Sequence, residues 1–211
     1  MRPSCTTRPR YAWEVFASRH VSIELPQDVV RDLARRYGES HRAYHAANHI
    51  AEVLRWFDWA AERTGWREPV DVYLAILFHD AIYDPLASDN EARSAALARD
   101  TIAASPRTQA LIRLTARHAT LSLADVEGDD DAAQFLDCDI AILAAPTDRF
   151  DEYDAAIAME YRAVPADKFR AGRGAFLRAL LARPRIFLSE LFNAELDRAA
   201  RGNLSRILER Y

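Results

Sequence analysis

Cysteine is nearly absent from this chain: Cys5 and Cys138 are the two copies in 211 residues. They are too few and too far apart for a disulfide framework, so a reducing, cytoplasmic setting is expected. Long apolar runs are missing as well. None approaches the roughly 20 residues that span a bilayer, and the positively charged start, Met1 to Arg10, leads into no apolar core of a secretory signal. A soluble, intracellular protein without a membrane partner is expected. Charge of one sign is not concentrated anywhere. Net charge is -4, arginine greatly outnumbers lysine, and no long block of either sign occurs, which gives no support to a nucleic-acid-coating surface. Glycine is sparse at 6 residues, and no Gly-rich phosphate loop is found.

What is present is ordinary for a globular chain: 50% hydrophobic and 28% charged residues, at a length that buries a sizeable core. Nearly every segment carries a helical period, and strand-like alternation is scarce. An amphipathic piece is expected from Tyr11 to His20 with Trp13 and Phe16 inward. Pro26 opens a helix through Val29, Val30 and Leu33 that stops near Gly38. A long helix starts near Tyr44, with Ile50, Val53, Leu54, Phe57 and Ala61 on one face, and ends before Gly65. Pro69 opens the most distinctive element: Val70 to Phe78 are apolar on every side except at Asp71, the pattern of a helix buried all round. The stretch from Ala81 to Asn90 reads as a loop. Helices follow from Glu91 to about Ala104, from Pro106 to about Ala119, from Ala132 to Ala144, and from Pro146 to Pro165. Leu121 to Asp131 reads as an exposed acidic loop. Lys168 to Ala182 and Pro184 to Tyr211 complete an all-α chain, expected as one domain over 1–211. Its core would span about 40–145, with the helices of 146–211 packed on it.

The buried helix ends in His79-Asp80. An interior imidazole and carboxylate must be satisfied by hydrogen bonds or by a metal. His45 and His49 are four residues apart and stack on one side of a helix, beside its apolar face. They suit the edge of a cavity, or equally a half-exposed histidine pair. Asp139 falls in the middle of the stripe Phe135, Leu136, Ile142, Leu143, where a carboxylate is either paired with an arginine or holds a metal. Asp137 falls outside that stripe and reads as a supporting or helix-surface charge. His118 shares a face with Leu111, Leu114 and Thr115 and reads first as a satisfied core histidine. Asp84, Asn90 and Glu91 lie on or beside the loop after the dyad, where functional groups concentrate, and equally serve as caps. Arg42, Lys168 and Arg173 are candidate phosphate contacts, with a solvated surface role the plainer reading. Cys138 reads as packing, as do the aromatic residues Tyr153, Tyr161, Phe169, Phe176, Phe187 and Phe192.

The order His49, His79-Asp80, Asp139 resembles the H…HD…D pattern of the HD superfamily of metal-dependent phosphohydrolases. Tyr44-His45-Ala-Ala-Asn-His49, Ile76-Leu-Phe-His79-Asp80-Ala-Ile-Tyr83-Asp84-Pro85, Asp89-Asn90-Glu91 and Phe135-Leu-Asp-Cys-Asp139 are similar to one bacterial branch of that superfamily, as are Ile157-Ala-Met-Glu160-Tyr161 and the run Glu195 to Asn203. The resemblance implies an HD-domain-like helical bundle with additional C-terminal helices, and His49, His79, Asp80 and Asp139 as metal ligands. His45 resembles the proton donor of cyclic-nucleotide phosphodiesterases, although the Asn that follows that histidine there is Ala46 here. His118 resembles a pocket histidine that binds substrate or a second metal.

Two imidazoles and two carboxylates suit Mn, Fe, Zn, Ni, Co or Mg without distinguishing them, and one divalent ion is expected rather than two. Such an ion polarises a phosphoryl oxygen and activates water. The expected activity is hydrolysis of a small phosphoester such as a nucleotide. His45, Asp80 and Glu91 are the catalytic candidates, and His118, Asp84 and Asn90 the substrate-binding ones. Two alternatives stand beside it: an HD-fold di-iron oxygenase, and a metal-dependent binding module without turnover. A homo-oligomer is compatible with all three.

Overall fold

The computed structural model describes residues 16–211. The expected piece beginning at Tyr11 and Trp13 therefore lies largely outside the described residues, as does Cys5. Phe16 is buried, and its carbonyl accepts from the Tyr73 hydroxyl. Every regular element among the described residues is helical, as the periodicity predicts. In chain order these are α1 (Gln27–Arg36), α2 (Ala47–Ala61), α3 (Pro69–Phe78), α4 (Asn90–Ile102), α5 (Pro106–Leu114), α6 (Asp130–Ile140), α7 (Thr147–Glu160), α8 (Ala166–Leu181) and α9 (Glu190–Ile207). Short 3-10 turns follow α5, precede α6, and extend α6 and α9. No helix among the described residues is long and apolar enough to cross a membrane.

α3 is the central element. Pro69 stands in its first turn, where a missing N–H costs nothing, and after Asp71 its one polar side-chain group is the Tyr73 hydroxyl, which the Phe16 carbonyl satisfies. Helices α2, α4, α5 and α6 all pack against it, leaving Val72, Ala75, Ile76 and Leu77 fully buried. The burial is not uniform along its length. Val70 is exposed and Leu74 half-buried, because the first turn of α3 reaches solvent before its neighbours close around it. Asp71 accepts from the hydroxyls of Ser105 and Thr108, tying this turn to the start of α5.

Several boundaries differ from the periodic reading, each for a local reason. α2 begins at Ala47, so Tyr44 and His45 lie in the turn before it, where the N–H groups of Ala43, Tyr44 and His45 all point to Glu160 rather than into a helix. The stretch Leu121 to Asp131 is not simply exposed. Leu121, Val126 and Asp131 are buried, a Ser122–Asp125 capping box closes a 3-10 turn, and Asp131 accepts from the N–H groups of Arg67 and Glu68. After Pro184 the chain is not helical until Glu190. There Asp197 accepts from the N–H of Ile186, Arg201 donates to the carbonyls of Leu181, Arg183 and Pro184, and Ile186, Phe187 and Leu188 fill the core. α9 then packs on the turn after α6 and on α8, with Asn203 donating to the carbonyls of Leu143 and Ala145.

Candidate functional site

Three helices deliver the site. α2 presents His49 from its first turn, the C-terminal end of α3 delivers His79 and Asp80, and the last turn of α6 brings Asp139. The Nε2 atoms of His49 and His79 lie 3.2 Å apart. Asp139 Oδ1 is 3.0 Å from the first and 3.3 Å from the second, while Asp80 Oδ2 is 3.5 Å and 3.1 Å from them. The imidazoles are 2% and 1% exposed, and the Asp80 and Asp139 carboxylates 16% and 12%, so the cluster sits just beneath the surface.

His79 Nδ1 is 2.9 Å from the carbonyl of Ile76. A carbonyl only accepts, so Nδ1 carries the proton and the neutral ring turns a lone pair toward the cluster. Lone pairs from imidazole and carboxylate thus face one another across hydrogen-bond distances. Without a cation they can be reconciled only by protons. Burial disfavours a charge on His79, but Asp80 and Asp139 outweigh it and raise its pKa well above the ordinary value. Burial likewise pushes Asp139 up, and His79, His118 and His49 hold it well below the usual carboxylate range. A divalent ion would take the place of those protons. The atoms of His49, His79 and Asp139 lie close enough together to hold a metal ion, with Asp80 beside them, and the mixed nitrogen and oxygen donor set fits one.

His118 lies past the end of α5, not on its apolar face. Its Nε2 is 2.7 Å from Asp139 Oδ2, the oxygen turned away from the other two histidines. Its own carbonyl accepts from Arg183. His45 stands on the other side, its ring against Tyr83 with centroids 4.4 Å apart and edge-on to His49. Burial lowers its basicity, and Asp80 with Glu160 more than offsets this, leaving its pKa raised.

The remaining candidates divide differently. Asn90 and Asp84 close the loop on each other: the Asn90 carboxamide accepts from the Asp84 N–H and donates to its carbonyl, and Asp84 Oδ1 accepts from Leu86. Glu91 is half-buried on α4. Arg42 is not a surface charge, and its guanidinium is engaged by the protein itself. It is buried and donates to the carbonyls of His45, Asp80 and Ala81, so it braces the backbone on both sides of the cluster. Arg173 is likewise buried, paired with Asp154 and stacked on Tyr153, while Lys168 is exposed on α8. Asp137 is not a surface charge either. It is fully buried and accepts from the N–H groups of Leu188 and Ser189 and from the Ser189 hydroxyl.

Glu160 has no role in the sequence reading, yet it is the most heavily engaged carboxylate near the site. Its signal was present: on α7 it continues the buried face of Phe150, Tyr153, Asp154 and Ile157, the same pattern that singles out Asp139. A groove of about 520 Å³ lies at the far end of α6, among Trp66, Leu123, Gln134 and Leu191. No histidine lines it, and the chemistry-bearing side chains favour the buried cluster. Compared with protein-family models, with curated proteins and with solved structures, the chain finds no match.

Proposed function

We propose that this protein is a metal-dependent phosphohydrolase acting on a small phosphoester, of the kind its H…HD…D pattern resembles. The observation that supports it is the meeting of His49, His79, Asp80 and Asp139 from three helices at one point. Those four residues would hold a divalent ion, which supplies Lewis acidity toward a phosphoryl oxygen and lowers the pKa of water. Asp80 turns Oδ2 to the imidazoles, leaving its second oxygen to orient the attacking water. Glu91, whose carboxylate makes no hydrogen bond among the described residues, is the weaker candidate for that task. Water oxygen bonds to phosphorus as its proton passes to the free oxygen of Asp80, the bond from phosphorus to the leaving oxygen breaks, and the His45 imidazolium gives its proton to that oxygen. His118, hydrogen-bonded to Asp139, is the candidate substrate contact.

The test is elemental analysis of protein purified without chelator, beside His79→Ala, followed by a phosphoester screen. A single divalent ion per chain, lost in the variant together with turnover, is the expected result. No metal after reconstitution would overturn the reading. The contact of His118 with the outer oxygen of Asp139 favours a second reading, a dinuclear site. Two irons with O2 consumption would bring the oxygenase forward. A ligand that is bound with metal but never converted would indicate a binding module.

A further inference from the structure

Glu160 divides its two oxygens between two tasks. Oε1 accepts from the N–H groups of Ala43, Tyr44 and His45, at 2.8, 2.7 and 2.9 Å. Oε2 lies 2.7 Å from His45 Nδ1 and 2.8 Å from the Tyr83 hydroxyl. The first oxygen builds a turn of backbone; the second holds a ring. The side chain of Glu160 is fully buried, so these donors are its whole solvation shell, and a carboxylate there has no use for a donor of its own. Tyr83 restrains the ring from the side as well, through its tilted ring contact with His45, and is itself held by the pairing of its carbonyl with His41.

An imidazole whose Nδ1 faces a carboxylate oxygen keeps its proton on Nδ1 when neutral. Its opposite edge, Nε2, has no hydrogen-bond partner among the described residues, and it is the edge left for a substrate. We infer that Glu160 is a positioning residue that sets the tautomer and orientation of His45 through Oε2, so that Nε2 is the nitrogen that exchanges a proton with the leaving oxygen. The inference rests on the phosphohydrolase reading for its catalytic consequence, but not for the tautomer. It makes the proton chemistry of the core depend on α7, which lies beyond all the metal ligands in sequence.

Glu160→Gln separates the two tasks. The Gln carbonyl oxygen can still take the three backbone N–H groups, while its NH2 replaces Oε2 and offers His45 Nδ1 a donor. That donor favours the tautomer with the proton on Nε2. The experiment is 15N NMR of the His45 imidazole in alkaline buffer, where the ring is neutral, on the full chain and on Glu160→Gln, with metal content and kcat and KM measured on the same samples. The expected result is Nδ1–H in the wild type, Nε2–H in the variant, unchanged metal content, and kcat lowered about 100-fold or more with KM little changed. In a His45→Ala background the same substitution should have little further effect on kcat. Nε2–H in the wild type overturns the inference without any variant, as does an unchanged tautomer in a folded Glu160→Gln. An equal loss of kcat with and without His45 would also overturn it. If the phosphoester screen finds no turnover, the tautomer result still decides whether Glu160 sets the ring.

Discussion

Asp137 and Asp139 stand two residues apart on α6 and do unlike work. Asp139 turns to the histidines, and Asp137 to the backbone of Leu188 and Ser189. Asp137→Ala would leave two N–H groups and a hydroxyl without an acceptor in a dry interior, at a cost of about 2 kcal/mol or more. Its urea midpoint should fall, and its metal content per folded chain should match the wild type. Asp139→Ala should do the opposite: lose metal, and still unfold as one cooperative transition in chelator. Elemental analysis and denaturation of the two variants side by side check both, and a metal-free Asp137→Ala of wild-type stability would reverse the assignment. Asp139 was legible in the sequence because its helix has an apolar stripe with one charge in the middle. Asp137 was not, because its face is buried by a segment some 50 residues downstream, at a sequence separation of 51 for the Leu188 contact. No single-helix projection contains that neighbour. Arg42 escaped for the same reason, since the carbonyls of Asp80 and Ala81 that it braces belong to another element.

The helices themselves were legible as elements, and their ends less so. Periodicity and proline marked the starts of α1, α3 and α5 closely, because Pro26, Pro69 and Pro106 act on their own chain, while α5 stops at Leu114, short of the expected Ala119. The start of α2 has no such marker: Ala46, in extended conformation, precedes Ala47, and the N–H groups of Ala43, Tyr44 and His45 before it are gathered by Glu160 from a distant helix. α4 ends in a way that the apolar pattern could not announce: Ala103 adopts φ 50° and ψ 41°, the left-handed conformation usually given to glycine. A Cβ in that conformation costs roughly 1–2 kcal/mol, part of which glycine returns as unfolded-state entropy. Ala103→Gly should therefore stabilise the chain by up to about 1 kcal/mol. The side chain is exposed, so no packing is lost. Equilibrium urea unfolding reads this directly, and a lower midpoint for Ala103→Gly would show that α4 does not require the left-handed end. The same substitution should leave metal content alone, since α4 contributes none of the proposed ligands.

At the scale of the molecule, α7 is joined to the elements around the His–Asp cluster by Glu160, which connects it to the turn before α2 and to Tyr83 after α3. That junction gives the chain an acid-labile contact. Burial alone would raise the Glu160 carboxyl, but His45, the backbone amides and the Tyr83 hydroxyl outweigh it and hold its pKa at about 2 against an ordinary 4.5. Above pH 4.5 the group is ionised in both folded and unfolded chains, and its stabilising contribution is complete. As pH falls from there toward about 2, the unfolded chain takes up the proton before the folded one does, and stability is lost with a slope of up to about 1.4 kcal/mol per pH unit. Other carboxylates titrate in the same window, so the informative quantity is the difference between the wild type and Glu160→Gln, both stripped of metal by chelator. The wild type should lose its advantage over the variant between pH 4.5 and about 2 and hold it level from pH 5 to about 6, below the range where His45, whose pKa Glu160 helps to raise, begins to lose its proton in the unfolded chain. Parallel unfolding curves across the acid range would mean that Glu160 is not held ionised by these donors, and that α7 is fastened to the core by packing and by the Arg149–Glu52 pair.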